Sequence, residues 1–250
     1  MRFVSLVGFA FGFILLIGFC CVPVGAQSAD DARAQIAAER YEQMLLRRPR
    51  PGTSLQRLYS YYIQAGRLDA RLEELTPAAD ATGTEAGNRW LLRGLLQRLS
   101  GDLPAATEAL QNAEQLLPSE ATASYQLGLV CLANGDQPTA VAALRRAIDR
   151  QPAKAERLPI ALALGKLHYQ MGDDAAAEQL WDEVERLFGS DAGVSRRVAE
   201  LMVEARRWEA AIGRYEQLAT AAGVGADAIQ YRLTAARLKQ RLDRSEEALA

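Results

Sequence analysis

A period of about 34 residues constrains this chain more than any other feature. Set at that offset, 87–120 and 121–157 align Gly94 with Gly128, Gly101 with Gly135 and Ala106 with Ala140. They also align Leu110 with Leu144, Ala113 with Ala147 and Pro118 with Pro152. The pattern continues through Gly165, Gly172, Ala177 and Trp181, then through Ala199, Ala211 and Tyr215. Tyr62, Gly66 and Leu75 carry a weaker copy. Units then start near 52, 87, 121, 158, 192 and 229, and the longer spacings are expected to add residues only in connecting loops. Such self-similarity marks a stack of small supersecondary units.

Each unit reads as two antiparallel helices. The first carries apolar residues at helical spacing, with a Gly or Ala where its neighbour must approach closely. A glycine (Gly66, Gly101, Gly135, Gly172) then closes it with positive φ. The second carries a small residue, a large one four later and another small or apolar one three after that, the stripe of a one-sided helix. Pro118 and Pro152 end it. Composition agrees: 45 of 250 residues are Ala, and no β-branched run follows the N-terminus.

Trp90, Gly94, Ala106, Leu110, Ala113 and Pro118 resemble the signature of the tetratricopeptide repeat family, as do Leu127, Gly128, Ala140, Leu144, Ala147 and Pro152. The likeness covers about residues 33–250 and loosens at Arg71, where a small residue is expected, and at Gly189 and Gly223, which stand at the proline place. It implies an all-α fold, a right-handed α-solenoid with units near 52–86, 87–120, 121–157, 158–191 and 192–228 and a partial one at 229–250. Residues 27–51 are expected to form a linker and a lone capping helix bearing Ala37, Tyr41 and Met44. At Ser245 a second helix is expected to begin and stop after one turn, as in a fragment of a longer protein.

Met1 and Arg2 precede an apolar run from Phe3 to Val24, followed by Gly25-Ala26 and a polar switch. This is the pattern of an export signal cleaved after Ala26, or of a retained membrane anchor over 3–24. Either places the rest of the chain in the periplasm or cell envelope. Removal would leave Cys131 as the single cysteine, so no intrachain disulfide framework is expected.

Catalytic chemistry finds little material. One histidine, His168, excludes a two-His metal site. It is read as a core residue, and Cys131 as a small buried apolar one. Gly223-Val224-Gly225-Ala226-Asp227-Ala228 fits a loose dinucleotide pattern but follows a helix rather than a strand. Asp173-Asp174 opens a helix, where carboxylates cap free N–H groups. Neither a cofactor nor a metal is expected, and the chain reads as a non-enzyme. Net charge is −2 with no basic stripe, which argues against nucleic acid as the main partner.

The resemblance implies a concave groove lined by the first helices. Carried over residue by residue, it assigns to that groove Leu91, Leu95 and Arg98, then Tyr125 and Leu129. Leu162, Lys166 and Tyr169 follow, and then Arg196 and Glu200. The alternative for Leu91, Leu95 and Leu129 is burial against neighbouring helices or the cap. The expected function is an exported scaffold that holds a protein or peptide segment with hydrophobic anchors, in envelope assembly or organisation. Two other expectations stand beside it: the repeat region of a larger enzyme or sensor, and self-association through the last helix.

Overall fold

The computed structural model describes residues 24–189 and 191–249, with side chains over 31–189 and 191–243. Among them are twelve α-helices and no strand. The export-signal or anchor segment lies outside the described residues apart from Val24–Ala26, whose backbone opens the first helix. No described helix is long and apolar enough to cross a membrane.

The helices are α1 (Val24–Arg47), α2 (Thr53–Gln64), α3 (Leu68–Glu74), α4 (Gly83–Ser100), α5 (Leu103–Leu116) and α6 (Ala121–Ala133). They continue as α7 (Gln137–Asp149), α8 (Lys154–Met171), α9 (Asp174–Phe188), α10 (Ala192–Glu204), α11 (Trp208–Ala221) and α12 (Ala226–Leu249). Successive helices pack in sequence from α4 to α12, which is the arrangement of a solenoid.

One contact repeats inside each central pair. A Cβ on Gly94 would lie 2.7 Å from Leu110 Cγ, and one on Gly128 would lie 2.7 Å from Leu144 Cγ. A Cβ on Gly165 would lie 2.1 Å from Trp181 Cη2. Glycine therefore lets the second helix seat its large residue against the backbone of the first. The flanking positions are as tightly held: Ala106, Ala113, Ala140, Ala147 and Ala177 are fully buried, beside Leu110, Leu144 and Trp181. These alanines are helix-to-helix contacts.

The turns repeat too. Gly101, Gly135 and Gly172 have φ of 84°, 80° and 78°, and the next residue's N–H reaches back to the carbonyls of Gln97, Cys131 and His168 at 3.0, 2.9 and 2.9 Å. Asp102, Asp136 and Asp173 then cap the second helix, accepting from the N–H of Ala105, Thr139 and Ala176. In the last full pair Arg206 takes the glycine position at φ 61°, and Arg207 supplies no side-chain cap. A left-handed non-glycine residue is strained, so Arg206→Gly is expected to raise stability by about 0.5–1 kcal/mol, read as a higher urea midpoint.

Three expectations need correction. The extra residues ahead of Gly165 do not lie in a loop: α8 starts at Lys154, so they lengthen its N-terminus, where Lys154–Leu158 are helix-compatible residues and Pro159 is carried inside the helix. The 52–86 unit is not a regular pair, because α3 has seven residues and packs weakly on α2. Arg71 stands where a small residue would allow close approach, and instead pairs with Glu42 of α1 and Glu74. The helix expected to begin at Ser245 does not start there, since α12 runs unbroken from Ala226 to Leu249.

Candidate functional site

α1 decides which part of the inner surface is free. It packs on α2 and on α4, and the chain leaving it crosses the N-terminal ends of later first helices. Asn88 Nδ2 of α4 donates to the Arg47 carbonyl at 3.0 Å, Pro49 is buried, and Arg50 pairs with Glu156 at the start of α8. Residues 47–51 thus form a strap over the solenoid. Leu91 and Leu95 are 1% and 0% exposed, so they belong to the core and not to the groove. Tyr169 is also removed from the groove: its hydroxyl donates to Glu178 Oε1 at 2.6 Å and accepts from Trp181 Nε1 at 3.1 Å, inside the α8–α9 pair. Burial first and then the Glu178 carboxylate push that phenol's pKa well up, so it stays protonated.

The remaining assigned residues keep accessible surface. Tyr125 and Leu129 of α6 and Leu162 of α8 are half-buried, as is Arg98 of α4, while Lys166 and Arg196 are exposed. Tyr125 and Arg98 come close enough to interact: burial raises the Tyr125 pKa and the Arg98 charge opposes that rise. The cations are engaged within the chain. Lys166 Nζ lies 2.8 Å from Glu204, whose carboxyl it holds below its ordinary pKa, and Arg196 lies 3.9 Å from Glu200. Exposed pairs of this kind contribute about 0–1 kcal/mol and exchange readily for an incoming acidic group.

Beside Tyr125 lies a cavity of about 190 Å³. Ala121, Tyr125 and Gln126 of α6, Ala155, Glu156, Pro159 and Ile160 of α8, and Arg50 and Pro51 of the strap are among its lining residues. Gln126 is 1% exposed and its Oε1 has no hydrogen-bond partner. Sequence reasoning missed Arg50, Pro51, Gln126, Glu156 and Pro159. Proline inside a helical segment was the one visible signal.

The groups weighed for chemistry are built into the framework. His168 is 5% exposed, with Nδ1 3.3 Å from Asp173, and burial lowers its pKa against the pull of that carboxylate. Cys131 is a buried free thiol, which burial pushes up in pKa. Asp174 pairs with Arg207, and two further carboxylates of α9 are engaged as well, Glu183 with Arg157 and Glu185 with Arg214. Gly223 and Gly225 sit between α11 and α12, with no strand before them among the described residues. No cluster of three metal-ligating side chains occurs among those residues.

A four-residue bridge holds two units together. Glu114 of α5 accepts two hydrogen bonds from Arg146 of α7, each 2.9 Å, and one from Ser124 of α6, with Arg150 at 3.3 Å. Burial alone would raise the Glu114 pKa, but these hydrogen bonds and charges outweigh it and lower the pKa. A carboxylate with a depressed folded pKa contributes stability above its unfolded value of about 4.3. That contribution disappears as pH falls through the folded value. Acid unfolding is therefore expected to begin at higher pH in the wild type than in Glu114→Gln, relative to each protein's neutral stability, as read by circular dichroism.

The structure defines an all-α solenoid of tetratricopeptide-like helix pairs. Comparisons with protein-family models and with curated proteins find no match. Among solved structures, the chain is similar to the crystal structure of MamA, at 22% identity and a TM-score of 0.46, over 68% of this chain and 97% of that one. It is also similar to TTC0263, a thermophilic TPR protein of Thermus thermophilus, at 21% identity and 0.44, over 72% and 95%. A third is YrrB, described as a TPR protein with an unusual peptide-binding site, at 12% identity and 0.47, over 77% and 97%. The repeated glycine contacts and turns, rather than these superpositions, define the class.

Proposed function

We propose that this chain is an exported, non-catalytic scaffold that holds a protein segment along the face formed by α6, α8 and α10. The observation that carries the reading is the series Tyr125, Leu129 and Leu162, left accessible while α1 and the strap cover the equivalent face of α4. Half-buried apolar residues flanked by Lys166, Arg196 and Arg98 suit an extended or helical segment with apolar anchors and some acidic character. Export rests on the apolar run of residues 3–24, and an envelope role follows from it.

The test is capture from an envelope extract by the wild type and by a Leu129→Glu/Leu162→Glu variant. Both sites are half-buried, so helicity should be unchanged and capture of a defined partner should fall at least about tenfold. Equal capture by both proteins overturns the groove assignment. Export is tested separately: alkaline phosphatase joined after Gly52 is expected to be active, because that enzyme matures only where disulfides form. An inactive, intracellular fusion contradicts export and leaves the groove standing.

A further inference from the structure

The cavity beside Tyr125 is more than a dip between helices. It is shaped by three segments far apart in sequence: the strap, the first half of α6 and the lengthened start of α8. The apolar part of its lining includes the proline rings of Pro51 and Pro159, the phenol of Tyr125 and the side chain of Ile160. An apolar cavity of about 150 Å³ takes one benzene ring. At about 190 Å³ this one has room for a larger planar group.

Two polar side-chain atoms among its lining residues are buried without a partner, the acceptor Gln126 Oε1 and the donor Arg50 Nε. Gln126 Oε1 is buried with no hydrogen bond, a state that costs about 1–3 kcal/mol unless a partner arrives. Pro159 has no N–H, so the Ala155 carbonyl one turn earlier lacks the donor that would complete its helical bond. Both residues line the cavity. The cation among its lining residues, Arg50, already pairs with Glu156 and presents a planar guanidinium, a group attracted to the face of an electron-rich ring.

We propose that this cavity is the anchor pocket of the groove and takes the indole of a tryptophan presented by the partner segment. Indole combines the required features: a flat apolar body, a single N–H for Gln126, and the aromatic face that best attracts a cation such as Arg50. An aliphatic anchor would leave the Gln126 acceptor unpaired. The inference rests on the reading that this face receives a protein segment.

The purified full chain, titrated by calorimetry with indole and with 1-benzothiophene, tests it. The second compound has nearly the same shape and no N–H. Indole is expected to bind saturably and about tenfold more tightly than 1-benzothiophene. Gln126→Leu should bring indole down to the benzothiophene level, and Tyr125→Ala should weaken both compounds together. Equal affinity of the two rings for the wild type overturns the proposal, as does the absence of saturable binding of either. The wild-type comparison needs no variant to fold. If indole fails while Leu129→Glu/Leu162→Glu still loses its partner, the tryptophan pocket is wrong and the groove remains.

Discussion

Gly165→Ala is expected to lower the stability of the chain by about 2–3 kcal/mol, the upper part of the range for overpacking a tight interior. The added Cβ would lie 2.1 Å from Trp181 Cη2 and 2.2 Å from Cζ2. Trp181 has no room to retreat, being fully buried with its Nε1 bonded to the Tyr169 hydroxyl. Better helix propensity returns less than about 1 kcal/mol. Gly94→Ala and Gly128→Ala meet leucine side chains at 2.7 Å and should cost less, because a leucine can shift more readily than a buried indole. The pairing predicts a rescue: Trp181→Leu installs the residue found at Leu110 and Leu144, and the double variant should recover part of the loss. Urea unfolding of the four proteins gives the coupling energy. Additive losses with no rescue would contradict the equivalence of the three pairs.

Glu114→Ala is expected to cost about 2–3 kcal/mol, from loss of the bridge between α5, α6 and α7. The figure stays below that of a fully buried ion pair because Arg146 keeps 45% of its side-chain surface in water. Most of the loss comes from fully buried Ser124 and half-buried Arg150, both left without their carboxylate. Because the bridge crosses from one helix pair to the next, the variant should uncouple the array. A broadened unfolding transition with a lower midpoint is the expected sign, and a sharp transition at the wild-type midpoint would contradict it.

Much of this architecture is readable in the chain itself, since the constraints are local. A helix that must admit Leu110 or Leu144 against its backbone needs glycine at 94 or 128. A turn that needs positive φ takes Gly101, Gly135 and Gly172. These repeat at fixed offsets and survive in the residue pattern. The inner face was less legible because its exposure depends on a contact between residues far apart. Arg50 and Glu156 are separated by 106 positions, and no periodicity marks that they meet. Leu91 aligns with Tyr125 and Leu95 with Leu129 in the repeat register, yet the two leucines of α4, the helix on which α1 packs, are buried, while Tyr125 and Leu129 keep accessible surface. Tyr169 was misplaced for a related reason. In its unit the large partner residue is Trp181, whose N–H draws the tyrosine hydroxyl inward.

The central claim is that a protein segment lies along the free inner face and not elsewhere on the solenoid. A photo-crosslinking side chain placed at Leu129, and in a second protein at exposed Gln179 of α9, tests it directly in living cells. A discrete protein adduct is expected from position 129 and none of matching mass from position 179. Adducts of equal yield from both, or from position 179 alone, would contradict it.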